Sequence, residues 1–148
     1  MRLKLPFILF PALIACSLFS SESSAQEIII IYTGETHAMV YPCSCPIEKD
    51  GGIARRAALV KQLKEADPGL ILLDSGGFSA GGMQDEYTLN AELDRERSAV
   101  NLKAMELMGY DAVAVGDEEF NFGVEFLREN AGKSNIAFLS ANIPGAEE

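Results

Sequence analysis

Three short acidic stretches and one imidazole carry most of the chemistry this sequence offers. Gly34-Glu35-Thr36-His37, Asp74-Ser75-Gly76-Gly77 and Gly116-Asp117-Glu118-Glu119 each follow an apolar run, and His37 is the single histidine. Carboxylate oxygens and a neutral imidazole are suitable ligands for a divalent cation. In a chain with 22 Asp and Glu against 12 Lys and Arg, acidic loops are also ordinary surface. A second candidate is Cys43-Ser44-Cys45, bracketed by Pro42 and Pro46. Two thiolates near an imidazole suit zinc, copper or redox chemistry; the same pair also reads as an isolated strained disulfide or as two idle thiols. Two protein sulfurs alone are too few for a closed structural zinc site, and without C-x-x-C-H spacing no c-type haem is expected. Phe120 and Phe122 flank the third acidic loop and offer faces for stacking a base, although core packing is their plainer use.

The elements that must position these residues alternate between β-type runs and helical periods. Glu27–Thr33 (EIIIIYT) is a β-branched run too continuous for a half-solvated strand, which reads as a strand buried on both faces. Gly51-Gly52 opens a helix with Ile53, Ala57, Val60 and Leu63 on one face, closed by Asp67-Pro68-Gly69. Leu70–Asp74 is a second strand, Ser75–Gly82 a glycine-rich loop, and about Leu89–Met108 a polar-faced helix capped by Gly109. Asp111–Val115, Val124–Ala131 and Ile136–Leu139 follow as strand, helix and strand. This order is that of parallel βαβ units with right-handed crossovers, an α/β fold. In such a sheet, ligands bind beyond the carboxyl ends of the strands, where all three acidic loops gather.

The first residues read as an export signal. Arg2 and Lys4 precede an apolar run from Leu5 to Phe19, too short to span a bilayer stably, and Ser23-Ser24-Ala25 offers a cut before Gln26. Leu13-Ile14-Ala15-Cys16 competes as a lipobox, with Cys16 as the lipidation candidate. Residues 1–25 are thus expected to be a signal peptide and 26–148 one small domain, working in the periplasm or cell envelope. Loss of the signal takes the net charge from −10 to −11. That charge argues against nucleic acid, and leaves a lipid anchor as the expected route to a membrane.

Four stretches, YTGETHAMV, GGIARRAALVKQLKEADPGLILLDSGG, MGYDAVAVGDEEFNFG and FLSANI, together resemble the N-terminal half of the 5′-nucleotidase family. These are calcineurin-like metallophosphoesterases, which include UDP-sugar hydrolases and cyclic phosphodiesterases. The resemblance covers nearly all of residues 27 to 143. It implies half of an αββα sandwich, a phosphate-ester substrate and a centre of two metals. Half a sandwich leaves one apolar sheet face exposed, so a missing C-terminal half or a partner is expected.

The carried-over site is degenerate. Glu35 stands where the family has Asp, His37 is kept, and Gly77 stands at the carboxylate that bridges both metals. Asp117 replaces a ligating Asn, and Glu118 replaces the His that stabilises the leaving group, so no catalytic residue is assigned. The expected ligands are Glu35, His37, Asp117 and Glu119, enough for at most one divalent metal. The chain alone is expected to bind rather than hydrolyse. The alternative is a portion of a divergent phosphoesterase, completed by the missing half.

Overall fold

A computed structural model describes residues 27–44, 46–47 and 49–143. The signal, the Cys16 lipobox and Cys45 lie outside the described residues. The elements are β1 (Ile30–Thr33), α1 (Ile53–Ala66), β2 (Ile71–Asp74), α2 (Ala91–Met108), β3 (Ala112–Ala114), a 3-10 turn (Glu118–Phe120), α3 (Val124–Lys133) and β4 (Ala137–Leu139). The strands form one parallel sheet in the order β1-β2-β3-β4. Its register pairs Thr33 with Asp74, Asp74 with Val113, and Val113 with Phe138. The α/β architecture and the order of its elements are those read from the sequence.

Local signals explain the helix ends. Asn90 starts α2 because its side-chain oxygen accepts from the amides of Glu92 and Leu93, satisfying donors the first turn leaves open. Gly109 ends α2 in the left-handed conformation, with φ of 75°, which glycine adopts at no steric cost. The Lys64 ammonium of α1 bonds its carbonyl, tying the two helices at that end.

Consecutive strand order with right-handed crossovers places the connecting helices on one face of the sheet. On that face Leu72, Val113, Leu102, Met105, Phe78 and Tyr110 form the buried core. The opposite face is apolar and open among the described residues: Ile30 is 55% exposed, Tyr32 74% and Leu139 56%. This corrects the expectation that the first strand is buried on both sides. A β-branched run reports a surface built to be covered, and β1 alternates between exposed and half-buried because only its helix-side face has a layer against it. Among the described residues, no helix is long and apolar enough to cross a membrane.

Candidate functional site

Parallel strands deliver their following loops to one edge. The ladder runs past the strands there: Glu35, His37 and Ala38 donate their amides to the carbonyls of Gly76, Gly77 and Phe78 at 2.9, 2.9 and 3.1 Å. To make those bonds the first loop bends sharply, with left-handed φ values of 51° at Glu35, 44° at His37 and 47° at Ala38. Non-glycine residues persist there only where surroundings hold them.

The hold comes largely from α2, where the polar residues Asp94, Ser98 and Asn101 are buried against the protein. Ser98 accepts from the Ala80 amide at 2.8 Å, and the Asn101 amide group donates to the Phe78 carbonyl at 2.9 Å. Arg97 donates to the His37 carbonyl at 2.9 Å while also meeting Asp85 at 3.1 Å and Asp94 at 2.7 Å. Burial alone raises Asp85, but the Gly81 amide, the Arg97 guanidinium and the Tyr87 amide outweigh it and hold this carboxyl below its ordinary value. Sequence reading missed Arg97. Its one signal was Asp94 three positions earlier on a helix, a spacing far more common on solvated surfaces.

At the edge so built, His37 and two glutamates come together. Glu118 Oε2 lies 2.9 Å from His37 Nδ1, and Glu35 Oε2 lies 3.6 Å from Nε2. One ligand atom from each of Glu35, His37 and Glu118 falls within 4.8 Å of the others. Both carboxylates rest over glycines. A Cβ placed on Gly77 would come 2.7–2.9 Å from the Glu35 carboxyl group, and one on Gly82 would come 2.3 Å from Glu118 Oε1. The donor set fits a divalent cation: one nitrogen and two carboxylates, with the imidazole and Glu118 largely shielded and Glu35 open to water.

The remaining expected ligands lie elsewhere. Asp117 is exposed and outside the grouped set. Glu119 is 1% exposed, and its carboxylate accepts four backbone amides, from Gly116 at 2.9 Å, Phe78 at 3.0 Å, Ser79 at 3.3 Å and Gly77 at 3.4 Å. It staples the second acidic loop to the third. Glu118, read as an obstacle to chemistry, faces His37 instead. Asp74 points under the loop, bonded to the Thr33 hydroxyl and the Gly76 amide. Its burial raises its pKa against the lowering effect of those bonds and of Arg56.

Cys43 closes its own loop, donating its amide to the Asp50 carbonyl at 2.8 Å and accepting the Asp50 amide on sulfur at 3.2 Å. Its sulfur is not in the grouped ligand set. Phe122 packs edge-on against Phe126, with centroids 5.4 Å apart, and Arg95 lies over both rings. A cleft of about 620 Å³, lined in part by Met39, Tyr41, Tyr87, Leu93 and Arg97, meets the His37 loop through Arg97.

No family model matches the chain. The 5′-nucleotidase of Bos taurus is 33% identical over 125 residues, covering 79% of this chain and 20% of the relative. The trifunctional nucleotide phosphoesterase protein YfkN of Bacillus subtilis is 28% identical over 154 residues, covering 97% of this chain and 10% of the relative. Among solved structures, the 5′-nucleotidase precursor from Thermus thermophilus superposes with a TM-score of 0.62 at 25% identity, over 76% of this chain and 22% of that one. The NAD nucleotidase of Haemophilus influenzae reaches the same TM-score, 0.62, at 19% identity, a likeness of fold. The chain thus spans between about a tenth and about a fifth of these relatives' length. Sequence and fold agree on its kin: the homologues of this chain are 5′-nucleotidases and calcineurin-like phosphoesterases, and it carries one portion of their α/β fold.

Proposed function

We propose that this chain is the metal-holding and phosphate-binding portion of an exported 5′-nucleotidase-like phosphoesterase, and that it binds without hydrolysing until a second portion completes it. The observation that carries the reading is the grouping of Glu35, His37 and Glu118 at the edge where a parallel sheet presents its loops. A cation held there supplies positive charge for a phosphate oxygen. The protein's own contributions are local. Glu118 lies against the His37 ring at Nδ1, Arg97 fixes the loop through the His37 carbonyl, and the cleft that Arg97 also lines gives room for the organic part of a small ester.

Three ligands make one partial shell, and the carboxyl of Glu119 is already committed to backbone amides. A symmetric two-metal clamp on attacking and leaving oxygens therefore needs ligands from outside this chain. The open apolar face of the sheet supports the same view, since a second layer packed on Ile30, Tyr32 and Leu139 removes them from water. The domain division, with a signal over 1–25 and a partial phosphoesterase domain over 26–148, belongs to this proposal. The lipid anchor at Cys16 and a redox or soft-metal role for Cys43 with Cys45 remain its subordinate parts.

The test is direct. Full chain is titrated with Mn²⁺ by calorimetry and assayed with nucleotide and aryl phosphates. One equivalent of Mn²⁺, lost by at least tenfold in affinity in His37→Ala, and turnover no higher than a blank are expected. No metal uptake, or metal-dependent turnover abolished by His37→Ala, overturns the respective half of the reading. Intact mass of protein recovered from the cell envelope reads the export claim: a start at Gln26 or an acylated Cys16 supports it, and an intact Met1 sinks it.

A further inference from the structure

The cleft of about 620 Å³ is built from three elements, and hydrogen bonds hold each in place. One is the turn that carries Glu86 and Tyr87. The Tyr87 amide donates to Asp85 Oδ1 at 2.9 Å, and Arg97 donates to the Tyr87 carbonyl at 2.9 Å, so this turn is anchored to α2. The second is the stretch from Met39 to Pro42. The Ile53 amide donates to the Val40 carbonyl at 3.1 Å, which ties that stretch to the start of α1. The third is α2 itself, which contributes Leu93 and Val100, 44% and 51% exposed. Such a volume, with a mainly apolar lining and a few polar groups, is that of a small-molecule site.

The charge of the cleft has one sign. Glu86 and Glu96 both line it and both are exposed. Among the described residues, neither enters an ion pair. Arg97 is the one cation in the described lining, and it is already met by Asp85 at 3.1 Å and Asp94 at 2.7 Å. Four carboxylates thus stand against one guanidinium. Carboxylates set among apolar walls focus a negative potential into a cleft. Tyr41, 80% exposed, adds an aromatic ring to the lining, and a ring face attracts a cation through its quadrupole. An anion meets repulsion here, and a neutral molecule gains nothing from the two acids.

We infer that this cleft binds a small organic cation, an ammonium group on an apolar body, with Glu86 and Glu96 balancing the charge, Tyr41 offering its ring to the ammonium group, and Leu93 and Val100 taking the apolar part. The inference does not depend on the metal site. Where the proposed function also holds, the organic part of the ester is a cationic one, as in the phosphate ester of an amino alcohol.

The experiment titrates the full chain by calorimetry in metal-free buffer with benzyltrimethylammonium, and with benzyl alcohol and phenylacetate as neutral and anionic probes of similar size. One equivalent of the cation should bind, at least tenfold more tightly than either other probe. Glu86→Gln/Glu96→Gln should weaken it by at least fivefold, and Tyr41→Ala by about two- to fivefold, the range of an exposed cation–π contact. Glu65→Gln, on α1 and outside the cleft lining, should leave it unchanged. All the replaced side chains are exposed, so folding is not at stake. No uptake of the cation, equal affinity for the three probes, or full affinity in the double Gln variant or in Tyr41→Ala overturns the inference. So does a second copy of the chain as the occupant, which sedimentation would show as a dimer that Tyr41→Ala dissociates. Because neither metal nor phosphate is present, failure here leaves the Mn²⁺ titration of the proposed function to stand or fall by itself.

Discussion

Removing the oxygen atoms that Glu119 supplies should loosen the site edge from beneath. Its carboxylate is buried and accepts four amides, two at 2.9 and 3.0 Å and two at 3.3 and 3.4 Å. Glu119→Ala leaves those donors without an acceptor where water does not reach. An unsatisfied buried donor costs about 1–3 kcal/mol, so the two short bonds alone put the loss at roughly 2–6 kcal/mol. That is a large share of the 5–15 kcal/mol typical of a whole domain. Glu119→Gln is the sharper test because it keeps the shape. One oxygen becomes an NH₂ group that faces either the Gly77 and Gly116 amides or those of Phe78 and Ser79, a donor against two donors. Keeping the other oxygen should hold the loss to about 2–3 kcal/mol, read from the urea midpoint at unchanged slope. Mn²⁺ affinity should fall with it, because the Gly76 and Gly77 carbonyls that shape the Glu35–His37 turn belong to the loosened loop. A Glu119→Gln variant within about 0.5 kcal/mol of the parent would refute the reasoning, since surface substitutions commonly have effects that small.

Arg97→Met should cost about 3–5 kcal/mol in urea unfolding, because it strands Asp85 and Asp94 as buried charges; a loss below 1 kcal/mol sinks the claim. Burial raises Asp74 above its ordinary 3.8 in the folded state, so the folded chain binds that proton more tightly. Stability from this group is greatest below 3.8 and declines as pH rises through the folded value, and Asp74→Asn should flatten the decline and raise the melting temperature at pH 7. Asp85 runs the other way. Despite burial, its amide and Arg97 contacts lower its pKa below 3.8, so its contribution is present above 3.8 and disappears as pH falls through the folded value. The acid limb of a stability–pH curve should therefore weaken in Asp85→Asn, and an unchanged limb contradicts the assignment.

The order of elements was legible because buried parallel strands leave apolar runs and glycines mark their ends. The strands proved shorter than their runs: Glu27–Ile29 precede the paired segment, with only the Ile29 carbonyl meeting the Ile71 amide. The site was half legible. Glu35 and His37 stand two apart on a loop with a fixed destination. Asp117, Glu118 and Glu119 are three adjacent acids on one 3-10 turn, and composition does not say which way each points. That choice is made by unpaired amides of a loop some 40 positions earlier, at Gly77, Phe78 and Ser79, which draw Glu119 inward and leave Glu118 to face His37. Arg97 was hidden for the same reason: its acceptors come from the 37, 85 and 94 positions, and no local pattern names them.

Sheet order identical to chain order has a kinetic meaning. Paired strands are separated by 41 positions from Ile30 to Ile71, 39 from Leu73 to Ala112 and 25 from Ala112 to Ala137, so no strand waits for a remote partner and closure entropy grows only slowly between units. Glu35 and His37 follow the first strand, whereas Glu118 follows the third. A polypeptide that has emerged only through β2 carries His37 and Glu35 without Glu118, and the three groups come together only when the loop after β3 is in place.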